Sequence, residues 1–152
     1  MAVTSSNTQA RRYAGDVSPK EAWDLLVREP RAQLVDVRTA AEWTFVGLPD
    51  LAALGREPLL LEWQGFPDPR PNPGFVAQAT ERLRAASGEA DAPVLFLCRS
   101  GGRSRAAAIA MTGAGFGQAL NVAGGFEGDA DALGHRGASN GWKAAGLPWR
   151  QS

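Results

Sequence analysis

The sequence has very few of the residues from which disulfides and metal sites are made. Its 152 residues include one cysteine, Cys98, and one histidine, His135. One cysteine excludes a disulfide within the chain, and one cysteine with one histidine cannot complete the usual four-ligand zinc site. We therefore expect no metal or other cofactor, and a reducing, cytoplasmic setting.

Excess charge and long apolar runs are also missing. Sixteen basic and sixteen acidic residues give a formal net charge of zero, so bulk charge indicates neither a nucleic-acid nor a membrane partner. No apolar run approaches the roughly 20 residues of a membrane span, and residues 1–12 lack a signal-peptide pattern. We expect a soluble protein with a flexible segment at residues 1–12 and a single domain at residues 13–152.

Short apolar runs alternate with stretches that favour helices. The strand candidates are Tyr13–Val17, Leu34–Val37, Leu59–Trp63, Val94–Leu97 and Ala119–Val122. The predicted helices are Ser18–Glu29, Asn72–Ser87, Arg103–Phe116 and a C-terminal piece near Trp142. Short strands separated by helices and turns are typical of an α/β domain with a parallel sheet.

The cysteine lies where a predicted strand turns into a predicted helix. Val94–Leu97 leads directly into the loop Cys98-Arg99-Ser100-Gly101-Gly102-Arg103-Ser104. Because the two glycines can adopt positive φ, successive backbone N–H groups can converge on one point and bind an anion. The helix N-terminus and nearby guanidinium groups favour a thiolate, so we expect much of Cys98 to be ionised at neutral pH. These guanidinium groups belong to Arg99, Arg103 and Arg105.

Two interpretations of this loop stay open at this point. Ser104 could cap the helix or donate a hydrogen bond to the sulfur. Cys98 could also be a buried, inert residue, since free cysteines are often small apolar core residues. Its position at a strand end beside a glycine turn favours a functional role, because open α/β sheets bind ligands at such positions.

A second strand ends in charged residues of the pattern Asp-Val-Arg-x-x-x-Glu, formed by Asp36, Arg38 and Glu42. If residues 40–46 are helical, Arg38 and Glu42 could pair across one turn. Charged residues at a strand end more often fix a loop than perform chemistry. Of the three residues we expect Asp36 to touch the site, because adjacent parallel strands place their C-terminal ends at one edge of the sheet.

Together these motifs resemble the single-domain rhodaneses, which are sulfurtransferases. The matching segments are Leu34–Arg38, Glu42, Cys98–Ser104, Gly124–Phe126, Trp142 and Ala145–Pro148. The resemblance implies a central, mainly parallel five-stranded sheet flanked by helices on both faces. It also implies that Cys98 is the catalytic nucleophile, carrying a persulfide from a small-molecule sulfur donor to a thiol or cyanide acceptor, or to a protein. The amides of residues 99–104 would bind the anion, with Asp36, Arg38 and Glu42 in support.

The loop length separates this chemistry from phosphoryl transfer. Cysteine phosphatases of related architecture place five residues between cysteine and arginine, whereas four residues separate Cys98 from Arg103. A tighter ring of amides suits a single sulfur better than a phosphate, so we predict a thiosulfate-like donor. The alternatives are a noncatalytic persulfide carrier and, less favoured, a phosphatase or arsenate-reductase-like enzyme.

Some segments depart from the rhodanese pattern. Relatives commonly read Gly-His-Ile-Pro-Gly-Ala where this chain has Gly47-Leu48-Pro49-Asp50-Leu51. Residues 127–141 form an insertion relative to the family pattern. We expect this insertion and the Pro-rich loop at residues 65–74 to lie on the surface, and one of them to overhang Cys98 and select the acceptor. A lone histidine between glycines indicates a surface position for His135. Most of the tryptophans are expected to pack, with Trp63 at a pocket rim.

Overall fold

The structure, a computed structural model, describes residues 12–87 and 91–151. The expected flexible segment at residues 1–12 therefore lies, except for Arg12, outside the described residues. The strands are β1 (Gly15–Val17), β2 (Gln33–Asp36), β3 (Leu48–Pro49), β4 (Leu59–Leu60), β5 (Val94–Leu97), β6 (Ala119–Val122) and β7 (Trp149–Arg150). The helices are α1 (Pro19–Arg28), α2 (Ala40–Phe45), α3 (Phe75–Ser87) and α4 (Gly102–Gly113), with a 3₁₀ turn at Ala52–Leu54.

Five strands form one parallel sheet in the order β1-β6-β5-β2-β4. The register sets Phe96 of β5 between Val35 of β2 and Asn121 of β6. The predicted α/β fold with a parallel five-stranded sheet is confirmed. β5 lies at its centre, so the residues that follow β5 emerge at the middle of the sheet's C-terminal edge.

Helices cover both faces of the sheet, as expected. On one face, α3 and α4 pack against alternate strand residues such as Val35 and Phe96. On the other face, α1 and the segment around Trp142 pack against the intervening residues, such as Leu34 and Leu95. This alternation follows from the two-residue period of a strand, and it makes all four residues of β5 buried.

Two helices begin with the same capping arrangement. Ser18 and Thr39 each accept a hydrogen bond from the backbone N–H of the glutamate three residues later, and that glutamate accepts one from the cap's own N–H. The capping box satisfies two otherwise unpaired N–H groups and so fixes where each helix starts. In α2 the glutamate is Glu42, which therefore points back towards the end of β2.

The predicted C-terminal helix near Trp142 is wrong, because this segment consists of turns. Gly141 and Gly146 flank it at φ +97° and +76°, a conformation that interrupts a right-handed helix. Trp142 is nonetheless fully buried, and its indole N–H donates to the Pro148 carbonyl at 2.7 Å. It contacts Trp23 edge-on at 6.0 Å, as expected for packing.

Helix and strand ends also differ from the predictions. The helix expected at Asn72 begins at Phe75, because the Asn72 side chain accepts from the Gly74 N–H in a turn that precedes the helix. The antiparallel pairing of β3 with β7 was not predicted, because each strand has only two residues and β3 contains a proline, Pro49. Within the described residues, none of the helices is long and apolar enough to cross a membrane.

Candidate active site

Cys98 directly follows β5, and its sulfur is turned into the loop that follows. The sulfur accepts a hydrogen bond from the Gly101 N–H at 3.1 Å and contacts the Ser104 hydroxyl at 3.2 Å. Gly101 adopts φ +118°, which only glycine reaches without strain, and this conformation turns its N–H back to the sulfur. Cys98 is 1% exposed and packs against the apolar core. Its sulfur is therefore buried, with apolar residues on one side and the polar loop on the other.

A glycine-containing turn after β6 forms backbone hydrogen bonds with the cysteine loop. The Cys98 carbonyl accepts from the Phe126 N–H at 2.8 Å, and the Arg99 carbonyl accepts from the N–H groups of Glu127 and Gly128 at 3.0 Å. These bonds orient the first two peptide groups of the loop, with their carbonyls towards residues 126–128. The turn contains Gly125, where a Cβ would lie 2.5 Å from the backbone of residues 98 and 99. The two chain segments can approach this closely only because residue 125 is glycine.

A series of polar contacts leads from the sulfur through buried Ser104 and Asn121 to exposed Asp16 in the edge strand β1. The Ser104 hydroxyl lies 2.6 Å from the Asn121 side-chain carbonyl, and the Asn121 amide donates to Asp16 at 2.9 Å. Because a carboxylate accepts hydrogen bonds, Asp16 fixes which end of the Asn121 amide faces Ser104. The hydroxyl of Tyr13 also donates to Asp16, at 2.8 Å, and burial together with this bond raises the pKa of Tyr13.

These contacts decide whether Ser104 caps the helix or contacts the sulfur. The N-cap of α4 is Gly101, which has no side chain, and Ser104 contacts the sulfur from inside the first turn. Asn121 is not among the predicted site residues, although an asparagine in the apolar run Ala119–Val122 was the available signal. A buried amide in a central strand needs polar partners, and Ser104 and Asp16 are those partners.

Removing the Ser104 hydroxyl is expected to lower the free energy of unfolding by about 1–3 kcal/mol, because the buried Asn121 carbonyl loses its donor. The comparison is urea denaturation of Ser104→Ala against Ser139→Ala, an exposed serine. In a double-mutant cycle, Ser104→Ala should cost much less in an Asn121→Ala background. Strictly additive costs would show that the two side chains are not coupled.

Arg103 and Glu42 form a bidentate ion pair between α4 and α2. The two Arg103 terminal nitrogens lie 2.8 and 3.0 Å from the two Glu42 oxygens, and both side chains are about four-fifths buried. Burial opposes ionisation of Glu42, but the hydrogen bonds and charge of Arg103 outweigh it and lower the pKa of the carboxyl. The bond to Glu42 in turn raises the pKa of Arg103, with a smaller contribution from the charge of Cys98.

Asp36 and Arg38 form a second, fully buried pair. Arg38 donates to both Asp36 oxygens, at 2.7–3.2 Å, and to the Gly47 carbonyl at 2.8 Å. Its guanidinium lies 4.3 Å from the centroid of the Phe126 ring. The predicted pairing of Arg38 with Glu42 is therefore wrong, because Asp36 is nearer to Arg38 and the capping box turns Glu42 towards Thr39 and Arg103. Of the three charged residues, Glu42 is the one that contacts a side chain of the cysteine loop.

The charge on Glu42 gives an expected pH dependence. Its folded pKa lies below the ordinary value of 4.5, so its stabilising effect is complete above that pH and is lost as the pH falls through the lower folded value. Glu42→Gln should therefore be less stable than the wild type at pH 7, by about 0.5–1 kcal/mol, with the difference shrinking towards pH 3. Urea denaturation across this range measures it.

Glu21→Gln is the matched control for Glu42→Gln. Glu21 occupies the same capping-box position in α1 and is exposed. The control therefore removes the capping charge without removing an arginine pair. Equal pH dependence of the two variants would contradict a specific contribution from Arg103.

A cavity of about 550 Å³ opens beside the cysteine loop. Arg99 and Arg103 of the loop line it, and so does Glu42, the ion-pair partner of Arg103. Its lining also includes residues of α2, residues of the segment at 64–69, and Glu127 of the inserted segment. Both segments proposed to overhang the site therefore border this cavity, and their effect on the acceptor stays a prediction.

Other residues considered in the sequence lie elsewhere or pack. His135 is exposed, and its backbone is tied to Asp131 at 2.7–2.9 Å. Trp63 packs edge-on against Phe75, with ring centroids 5.0 Å apart. Ser100 is half-buried and Gly102 exposed at the loop surface. In residues 12–87 and 91–151, no group of three His, Cys, Asp or Glu side chains could hold a metal ion.

A family model described as the STR4 middle domain matches residues 14–152. The chain belongs to the STR4 middle-domain family. An uncharacterized protein of Rickettsia rickettsii is 35% identical over 135 residues, covering 89% of this chain and 96% of the relative. The crystal structure of Rv0390 from M. tuberculosis is 53% identical, with a TM-score of 0.83, over 92% of this chain and 99% of that chain.

Two further relatives of this STR4-type domain carry names that mention sulfur transfer or rhodanese. A chloroplastic protein of Oryza sativa subsp. indica named thylakoid rhodanese-like is 28% identical, and the match covers 92% of this chain and 26% of the relative. The solution structure of a polysulfide-sulfur transferase homodimer from Wolinella succinogenes is 20% identical, with a TM-score of 0.56, over 99% of this chain and 88% of that chain. At this identity the second match shows a shared fold.

Proposed function

We propose that this protein is a sulfurtransferase that moves a sulfane sulfur from a thiosulfate-like donor to a thiol or cyanide acceptor through a persulfide on Cys98. The observation that carries the proposal is the polar contact of a buried cysteine sulfur with the Gly101 N–H and the Ser104 hydroxyl. The rhodanese-like and sulfur-transferase names of two relatives support the same class of reaction.

The proposed reaction has two displacement steps. In the first, the Cys98 thiolate attacks the outer sulfur of thiosulfate; a bond forms between that sulfur and Sγ, the sulfur–sulfur bond of the donor breaks, and sulfite leaves with the electron pair. In the second, cyanide or a thiolate attacks the terminal sulfur of the persulfide, and the electron pair returns to Sγ. No proton has to be removed from an ionised thiol, so the reaction needs no histidine base.

The loop supplies the electrostatic part of this mechanism. The Gly101 N–H and the N-terminus of α4 face the sulfur and stabilise negative charge on it and on the persulfide. Arg103 is held by Glu42 and lines the cavity, where its positive charge would stabilise the leaving sulfite. Fixed donors of this kind lower the barrier because they need no reorganisation during the reaction.

Access to the sulfur requires a small movement. Because Cys98 is 1% exposed, the loop must open, or the side chain must turn towards the cavity bordered by Arg99 and Arg103, before a donor can react. This burial also favours a second candidate function, in which a partner protein loads a noncatalytic carrier. The loop spacing disfavours a phosphatase, because only four residues lie between Cys98 and Arg103 and because Arg103 is engaged by Glu42.

The test is thiocyanate formation from thiosulfate and cyanide by the wild type, Cys98→Ser and His135→Ala. We expect multiple turnovers in the wild type and in His135→Ala, because the histidine is exposed and outside the site, and none in Cys98→Ser. An aryl phosphate should release no phosphate. Stoichiometric loading without turnover would favour the carrier, and Cys98-dependent phosphate release would overturn the proposal.

A further inference from the structure

The Ser104 hydroxyl has one hydrogen to share between a carbonyl oxygen and the sulfur. Its oxygen lies 2.6 Å from the Asn121 side-chain oxygen and 3.2 Å from the Cys98 sulfur. Sulfur is the weaker acceptor of the two, and the contact between the oxygens is at the short end of the range for hydrogen bonds. The hydrogen is therefore donated to Asn121, and the Ser104 oxygen turns a lone pair towards the sulfur.

Asp16 determines that the Asn121 amide presents its oxygen, and not its nitrogen, to Ser104. An asparagine side chain has a donor end and an acceptor end of nearly the same shape, so an unanchored amide can turn over. Asn121 is fully buried, and its nitrogen donates to the Asp16 carboxylate at 2.9 Å. Because an ionised carboxylate only accepts hydrogen bonds, it holds the nitrogen on its own side and leaves the oxygen facing Ser104.

The direction of the Ser104 hydrogen decides which form of the sulfur is favoured. A thiol can donate its own hydrogen to the Ser104 lone pair, whereas the same lone pair repels a thiolate. If the hydroxyl turned to a thiolate, the buried Asn121 oxygen would lose its donor, which costs free energy. These contacts therefore oppose the Gly101 N–H and the N-terminus of α4, which favour the thiolate.

We infer that Asp16 is a positioning residue that restrains Cys98: by fixing the Asn121 amide, it turns the Ser104 hydrogen away from the sulfur and favours the thiol. Sulfur transfer uses the thiolate, so Asp16 limits the reactive fraction of the protein; this consequence rests on the proposed function. Asp16 is exposed in the edge strand β1, so it can be substituted without disturbing the core.

Other charged groups lie on the elements packed around the sulfur, and a substitution of Asp16 removes none of them. They are Arg99, Arg103 and Arg105 of the loop and α4, Glu42 of α2, the Asp36–Arg38 pair at the end of β2, and Glu127 after β6. Their contribution to the charge on Cys98 is therefore the same in the wild type and in an Asp16 variant.

The test is the pH at which Cys98 ionises, followed by the ultraviolet absorbance of the thiolate, with the matching Cys98→Ser protein as the blank. In Asp16→Asn the new amide can pair with either end of Asn121, so the Asn121 nitrogen can face Ser104 and the hydroxyl can donate to the thiolate. We expect the midpoint to fall by about one pH unit, because the thiolate form gains one net hydrogen bond. An unchanged or higher midpoint would overturn the inference.

Two controls separate the effect of the amide from that of the charge. Loss of a negative charge also favours a thiolate, but this effect does not need the hydroxyl. In a Ser104→Ala background, Asp16→Asn should therefore shift the midpoint by less than about 0.3 pH unit, since the field of an exposed charge is screened by salt. Tyr13→Phe removes a 2.8 Å bond to Asp16 but keeps the carboxylate, so it should leave the midpoint unchanged. A full shift in either control would contradict the role of the Asn121 amide.

The titration needs no sulfur donor, so it is independent of the proposed function. In a sulfurtransferase, the acidic limb of the pH profile of kcat/KM should move down by the same interval in Asp16→Asn, with about tenfold higher activity below the midpoint. An unmoved limb in an active enzyme would overturn the inference and leave sulfur transfer intact. A lowered midpoint in a protein that transfers no sulfur would support the inference and overturn the proposed function alone.

Discussion

Asp36→Ala is expected to lower the free energy of unfolding by about 3–5 kcal/mol, the usual cost of leaving one member of a buried ion pair without its partner. Both side chains of the Asp36–Arg38 pair are fully buried. After the substitution the Arg38 guanidinium would keep the Gly47 carbonyl and the Phe126 ring but lose its counter-charge. Chemical denaturation at neutral pH measures the loss.

The chain contains a matched control for this substitution. Asp68 and Arg70 have the same Asp-x-Arg spacing and an ion pair of 2.8 Å, but their side chains are 58% and 86% exposed. Because exposed pairs contribute about 0–1 kcal/mol, Asp68→Ala should change stability little. Similar losses in the two variants would contradict the assignment of the effect to burial.

Gly125→Ala is expected to displace the cysteine loop and to abolish most sulfur transfer. The added Cβ would lie 2.5 Å from the backbone of residues 98 and 99, and residue 125 would also keep φ near +63°. Relief of this clash must move the turn away from the loop and break its bonds to the Cys98 and Arg99 carbonyls. We expect a loss of several kcal/mol in stability and at least about a hundredfold loss of activity.

Gly146→Ala isolates the effect of backbone conformation from that of the clash. Gly146 has φ +76°, but no atom lies within 4 Å of its Cβ position. This variant should lose about 1–2 kcal/mol from left-handed strain and keep its sulfur transfer. If Gly125→Ala behaved like Gly146→Ala, the close approach of the turn to the cysteine loop would have no functional importance.

The central sheet was predictable because most of its strands are short, mainly apolar runs between turn residues. Val94–Leu97 and Ala119–Val122 have the predicted bounds, and the first strand was found within Tyr13–Val17. The β3–β7 pair escaped prediction because two residues carry no periodic signal. The segment near Trp142 was misassigned because its helix-forming residues lie between two positive-φ glycines, and one of them, Gly141, packs closely against the turn after β6.

The cysteine loop was predictable from local chemistry, whereas the partners of its side chains were not. Glycines after a strand indicate converging amides, and the Gly101 N–H does contact the sulfur. The choice of Glu42 by Arg103, 61 residues away in sequence, depends on how α2 and α4 lie across the sheet. The same is true of Asn121, whose contact with Ser104 becomes visible only when the register of β5 and β6 is known.

The most direct test of the account is the intact mass of the protein after incubation with a sulfane donor. Because Cys98 is the only cysteine, the site of modification needs little mapping. We predict a gain of one sulfur atom, located on residue 98, removed by cyanide and absent in Cys98→Ser. An unchanged mass with every donor class, or a gain that persists in Cys98→Ser, would contradict a persulfide at this cysteine.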